Sequence, residues 1–214
     1  MSEGKTILGF DPGATIGWCV YDPTAGRVLT HGEVVPASEH PCTDAFEDIE
    51  QLLVKHGGPV AIERPRIYSG RDKDGHIKHA AGNDVADTCE QAGWLVSMAG
   101  GDVHGADLGH GAWDRGGRCY LLERRAVTRE LRHHFGEAIV GDGPIWKALV
   151  AAHGGAAAIQ GPKKGKAATR KTPAEPDREP GHLHGMGGHA RAAFATAWAL
   201  AQLLERKGVK RVRS

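Results

Sequence analysis

The sequence predicts an α/β protein built around one mixed sheet, and three features carry that expectation. Three strand-like runs, Lys5–Phe10, Ile16–Tyr21 and Arg27–Val35, follow one another with turn residues between them. Segments with helical and strand patterns then alternate, as they do when later strands are joined by helical crossovers. The last long segment, Gly188–Arg206, spaces its apolar and small residues as a buried helix does. At 214 residues the chain suits a single domain over residues 1–214, large enough to bury a proper core.

The first run delivers Asp11 to a strand end, and Pro12–Gly13 turns the chain back. Asp22–Gly26 is a second turn, so the first three strands form an antiparallel meander. Thr43 is the expected N-cap of a helix over Asp44–His56. Its acids Asp44, Glu47, Asp48 and Glu50 lie early and Lys55 lies late, as the helix dipole prefers. Gly57–Gly58 ends that helix, Pro59 prevents its return, and Val60–Glu63 is a short strand ending in an acid. The polar stretch Ile67–His79 reads as an exposed loop. Ala80–Ala99 reads as a helix burying Val85, Ala86, Cys89, Ala92, Leu95 and Val96.

Gly100–Gly117 carries no assignable pattern. Cys119–Leu122 reads as the fifth strand, Arg124–Phe135 as a basic helix, and Pro144–His153 as a helix closed by Gly154–Gly155. Residues 160–182 combine Lys163, Lys164, Lys166, Arg170 and Lys171 with Gly, Ala and Pro. Such a composition cannot form a core and predicts a mobile basic loop; the tail 207–214 is basic again.

Composition narrows the class. No long apolar span and no signal peptide are present, which predicts a soluble cytoplasmic protein with no membrane association. Cys19, Cys42, Cys89 and Cys119 lack C-x-x-C spacing, which argues against a zinc knuckle and fits reduced thiols. The net charge of +1 conceals an uneven distribution, and a nearly neutral total can hide a basic face.

Asp11 and Glu63 end the first and fourth strands, and their carboxylates converge if those strands are neighbours. Facing carboxylates repel unless a cation lies between them, and an all-oxygen site suits Mg²⁺ or Mn²⁺. Pairs of such ions hydrolyse phosphodiesters. Taken singly, Asp11 also fits an ordinary turn, and Glu63 an ion pair with Arg64 or Arg66. His189, Ala192, Ala193 and Thr196 share one helix face whose small residues permit close packing on the sheet. His182 and His184 have no cysteine or acid at a usual zinc spacing.

Ile7–Gly13 with Gly17–Trp18, then Val60–Glu63, then His189–Ala193 resemble, in order, the motifs of RuvC-type Holliday-junction resolvases, especially divergent phage and prophage members. The resemblance covers the strands and the last helix and fades between Gly100 and Pro180. It implies a ribonuclease H-like fold with a five-stranded mixed sheet and a homodimer of bacterial or phage origin. It also implies a Mg²⁺-dependent endonuclease, with two ions per site and Mn²⁺ able to substitute. Such an enzyme nicks opposed strands of a four-way junction, leaving 5′-phosphates and 3′-hydroxyls. By position, Asp11 and Glu63 become metal ligands and His189 joins them. The family's last acid falls at Ala192, which cannot bind a metal. Either the acid was lost naturally or an Asp→Ala substitution was made deliberately; the intact surroundings favour the second.

Arg66, Arg71, Lys73 and Lys78, the helix from Arg124 and Arg125 to Arg132, and Lys163, Lys164 and Lys166 are the expected phosphate contacts, and Ala80–Ala99 the expected dimer interface. The alternative is a catalytically inactive module that binds branched DNA. A sugar-kinase or actin-like ATPase, suggested by Asp11-x-Gly13-x-Thr15, requires two such domains and does not fit this length. Processing of RNA by a related nuclease is a further alternative.

Overall fold

Alternating burial builds the sheet from its first strand outward. In β1 (Ile7–Asp11), Leu8 and Phe10 join one apolar layer while Ile7 joins the other, so Asp11 shares the face of Ile7 and Gly9. The computed structural model describes residues 6–35, 46–65, 69–71, 77–79, 83–101, 106–109, 111–116, 118–136, 139, 141–165 and 176–207. β2 (Ile16–Asp22) and β3 (Arg27–Val34) complete the expected meander. β4 (Val60–Arg64) lies parallel to β1, with Phe10 opposite Ile62. That register brings the next residues, Asp11 and Glu63, out side by side at one sheet edge.

The sheet has seven strands rather than the expected five, in the order β3-β2-β1-β4-β9-β8-β7. The additional pair, β7 (Ala106–Gly109) and β8 (Ala112–Asp114), comes from the stretch that carries no pattern in sequence. These strands are three or four residues long, set in a Gly-rich stretch and too short to show a period. β9 (Cys119–Glu123) lies parallel to β4. The expected loop over Ile67–His79 also needs correction. It contains an antiparallel hairpin, β5 (Ser69–Arg71) with β6 (Ile77–His79), outside the main sheet.

Helices cover both faces. α1 (Phe46–Lys55) and α2 (Asn83–Met98) pack Ile49, Leu53, Ala92, Leu95 and Val96 against Leu8, Phe10, Val60 and Ile62. Thr43, and the side chains of Val85 and Ala86, lie outside the described residues; Cys89 is half-buried. On the other face are α3 (Arg124–Phe135), α4 (Asp142–Ala152), the short α5 (Ala156–Ile159) and α6 (Gly188–Arg206).

α6 is the central helix of that face. Its buried alanines, among them Ala190, Ala193 and Ala197, bring its backbone down onto β1 and β2. A Cβ on Gly9 would strike the Ala193 carbonyl, and one on Gly17 the backbone of His189. Two glycines in strands therefore set the height of the helix above the sheet. Its first turn is held by Glu33 of β3, whose Oε1 accepts from the His189 N–H at 3.0 Å and the Ala190 N–H at 3.4 Å. A carboxylate there also suits the positive end of the helix dipole.

Candidate active site

Asp11, Glu63, His189 and Ala192 line one cavity of about 520 Å³, together with Arg124, Asp142, Trp146 and Arg191. The four residues expected at a shared edge are thus brought together from β1, β4 and α6. The Nδ1 of His189 lies 2.9 Å from Asp11 Oδ2; with Asp11 ionised, the ring nitrogen donates. This leaves Nε2 as the ring atom available to the cavity. Gln91 of α2, 1% exposed, accepts from the Gly13 N–H at 3.0 Å and so holds the turn that follows Asp11.

Burial raises the proton affinity of both acids. Asp11 lies above its usual range because it is desolvated, although its bond to His189 works the other way. Desolvation pushes Glu63 further, to about 7; the Arg124 charge lowers it and Asp11 raises it. Two partly buried carboxylates side by side, both reluctant to ionise without a positive charge, are a donor set that fits a hard divalent cation. Among the described residues, no three or more His, Cys, Asp or Glu side chains are grouped so that they could hold a metal ion by themselves.

Two predicted contacts need correction. Glu63 does not pair with Arg64, which lies 3.2 Å from Glu123; Arg66 lies outside the described residues. Its partner is Arg124 at 3.0 Å, with the Thr196 hydroxyl donating to the same oxygen at 3.3 Å. Arg124, expected on a DNA-facing surface, turns into the acid site and also pairs with Asp142. Arg125 pairs with Glu123, Arg129 with Glu130, and Arg132 donates to the Ile139 carbonyl at 3.0 Å. Intramolecular acceptors thus engage much of the α3 charge.

Lys163 and Lys164 are exposed at the base of the basic segment, where Lys163 and Arg178 exchange backbone hydrogen bonds. Lys73 and Lys166, and the side chains of Arg71 and Lys78, lie outside the described residues. The His182 Nε2 donates to the His153 carbonyl at 2.8 Å, and His184 Nδ1 to the Ile159 carbonyl at 3.3 Å. Both strap the segment entering α6.

Sequence reasoning missed Asp142 and the inward turn of Arg124. Asp142 sits two residues before Pro144, where only a helix start is legible, and its place across Arg124 from Glu63 depends on how α3 and α4 pack.

No protein-family model matches the sequence. No curated protein matches it either. Among solved structures, one that resembles it is Thermus thermophilus RuvC in complex with a Holliday junction substrate, at a TM-score of 0.56 and 16% sequence identity. The alignment covers 95% of this chain and 96% of that one. The two chains share a fold. It is the ribonuclease H-like arrangement, here with a seven-stranded sheet. No helix among the described residues is long and apolar enough to cross a membrane.

Proposed function

We propose that this chain is a structure-selective endonuclease that hydrolyses phosphodiesters in branched DNA, with the four-way junction as its substrate. The observation that supports it most is the convergence of Asp11, Glu63 and His189 at one cavity, on a fold shared with a protein solved on a Holliday junction. Asp11, Glu63 and His189 would hold Mg²⁺, with Mn²⁺ able to replace it. When bound, such an ion activates water and neutralises phosphate charge. Asp11 and Glu63 supply the anionic oxygens, the Asp11 contact orients the His189 ring, and Thr196 and Arg124 hold Glu63 in place. Lys163 and Lys164 supply sequence-independent phosphate attraction.

Ala192 lines the cavity three residues beyond His189 and contributes no ligand, so cutting by this chain is slow. The same residue favours the second reading, a module that binds branched DNA without cutting it. A cleavage assay in Mg²⁺ decides, comparing a four-way junction with a linear duplex of the same sequence. Metal-dependent nicking of the junction alone is expected. Equal nicking of both removes the structure selectivity, and binding with no nicking leaves the inactive module. Matched incisions on a two-fold symmetric junction also call for a two-fold homodimer through α2. Sedimentation showing only monomer, with and without DNA, overturns that part.

A further inference from the structure

Arg124 is the basic residue of α3 whose guanidinium enters the acid cavity, where it bridges Glu63 and Asp142. Its side chain is 27% exposed, whereas Asp142 is 86% exposed. The Asp142 contact is therefore a weak surface pair that exchanges cheaply, while the Glu63 contact anchors the guanidinium. The carboxylates lining this cavity are Asp11, Glu63 and Asp142, and Ala192 adds none. Arg124 and Arg191, both on this wall, bring two positive charges to three carboxylates, so one divalent ion already more than balances them. A second divalent ion would add two more positive charges beside these guanidinium groups, with no further acid on the wall to receive them.

We propose that the site holds a single divalent ion and that Arg124 is its second positive centre, a catalytic residue that contacts the scissile phosphate. This rests on the reading of Asp11 and Glu63 as metal ligands. In the reaction, the water oxygen bonds to phosphorus as the bond from phosphorus to the 3′ oxygen breaks. One proton of the water ends on that 3′ oxygen, leaving a 5′-phosphate and a 3′-hydroxyl. Negative charge grows on the departing oxygen and on the non-bridging oxygens. Arg124 releases Asp142 and turns its N–H groups onto them, keeping Glu63 as its anchor. A charged donor that meets developing charge in a partly enclosed site is worth far more than the same donor in water.

The test counts Mn²⁺ by isothermal titration on the full chain and measures single-turnover nicking of a four-way junction in Mg²⁺, for the unmodified protein, Arg124→Gln, Arg124→Lys and Asp11→Asn. The unmodified chain is expected to bind one Mn²⁺. Arg124→Gln is expected to bind it at least as tightly, because a competing cation is gone, yet to nick about 100-fold more slowly, the scale of losing one transition-state donor. Arg124→Lys keeps a positive charge and should lie between the two. A residue that only contacted DNA, or only supported the fold, would not strengthen metal binding while slowing cleavage. Two Mn²⁺ per unmodified chain, Arg124→Gln nicking within about threefold of it, or no nicking by the unmodified chain each overturn the proposal. Undiminished Mn²⁺ binding by Asp11→Asn instead removes the underlying reading of the acids.

Discussion

His189 and Asp11, 178 positions apart, meet with Nδ1 and Oδ2 at 2.9 Å. The contact ties the first turn of α6 to the end of β1, so the carboxylate and imidazole are fixed by the same packing that closes the core. Asp11→Asn or Glu63→Gln should slow metal-dependent cleavage at least 100-fold while changing junction affinity less than about twofold, since phosphate contacts come from other residues. Gel-shift and cleavage assays on the same preparations check this. Parallel losses in both would mean that the acids hold the DNA or the fold.

Ala192→Asp adds a carboxylate to the wall that Asp11 and Glu63 already share. It should tighten Mn²⁺ binding, open a second ion position and raise Mg²⁺-dependent nicking by about 100-fold or more. Should Ala192→Asp stay inert with Asp11 and Glu63 intact, this wall is not the metal site.

Glu63 makes the ion-free protein sensitive to alkali. Its folded pKa of about 7 lies above the ordinary 4.5, so the folded state binds the proton more tightly than the unfolded chain. The resulting stability is fully present below the unfolded value and is lost as pH rises through about 7. Urea denaturation without metal should show ~3 kcal/mol lost from this group between pH 4 and 8. Glu63→Gln should flatten that slope; a variant that tracks the parent across the range would show that Glu63 is not the group responsible.

Gly9→Ala should destabilise the fold by about 1–3 kcal/mol, because the new methyl meets the Ala193 carbonyl of α6 and the helix must shift. Gly57→Ala, which adds a methyl to open space, should stay within about 0.5 kcal/mol. Chemical denaturation of both variants measures the contrast, and equal effects would mean that Gly9 does not set the height of α6.

Neutralising Lys163, Lys164 and Lys166 together should weaken junction binding and lower the slope of log affinity against log salt by up to about 3. An unchanged salt slope places this segment outside the DNA interface.

Short-range chemistry accounts for the parts whose signals are local. The turn after Asp11, the strand ending at Glu63 and the bounds of α6 follow from short-range chemistry: an apolar run has a period, a turn needs Pro or Gly, and a buried helix needs its spacing. Their order also carried the resemblance on which the joint placing of Asp11, Glu63 and His189 rested, and Ala192 stood out against it. The rest depends on packing in three dimensions. β7 and β8 are too short to show a period; β8 is a strand because β9 offers it an edge, and β7 because β8 does. Arg124 reads as surface charge in any local window. It faces Glu63 because β4 and β9 are parallel neighbours, with Arg64 opposite Glu123, which places the first residue of α3 beside the end of β4. Asp142 likewise reaches the cavity through the packing of α4 near α3 and α6. A buried carboxylate with no cation beside it is costly, and which cation answers it depends on distances in space that spacing along the chain does not encode.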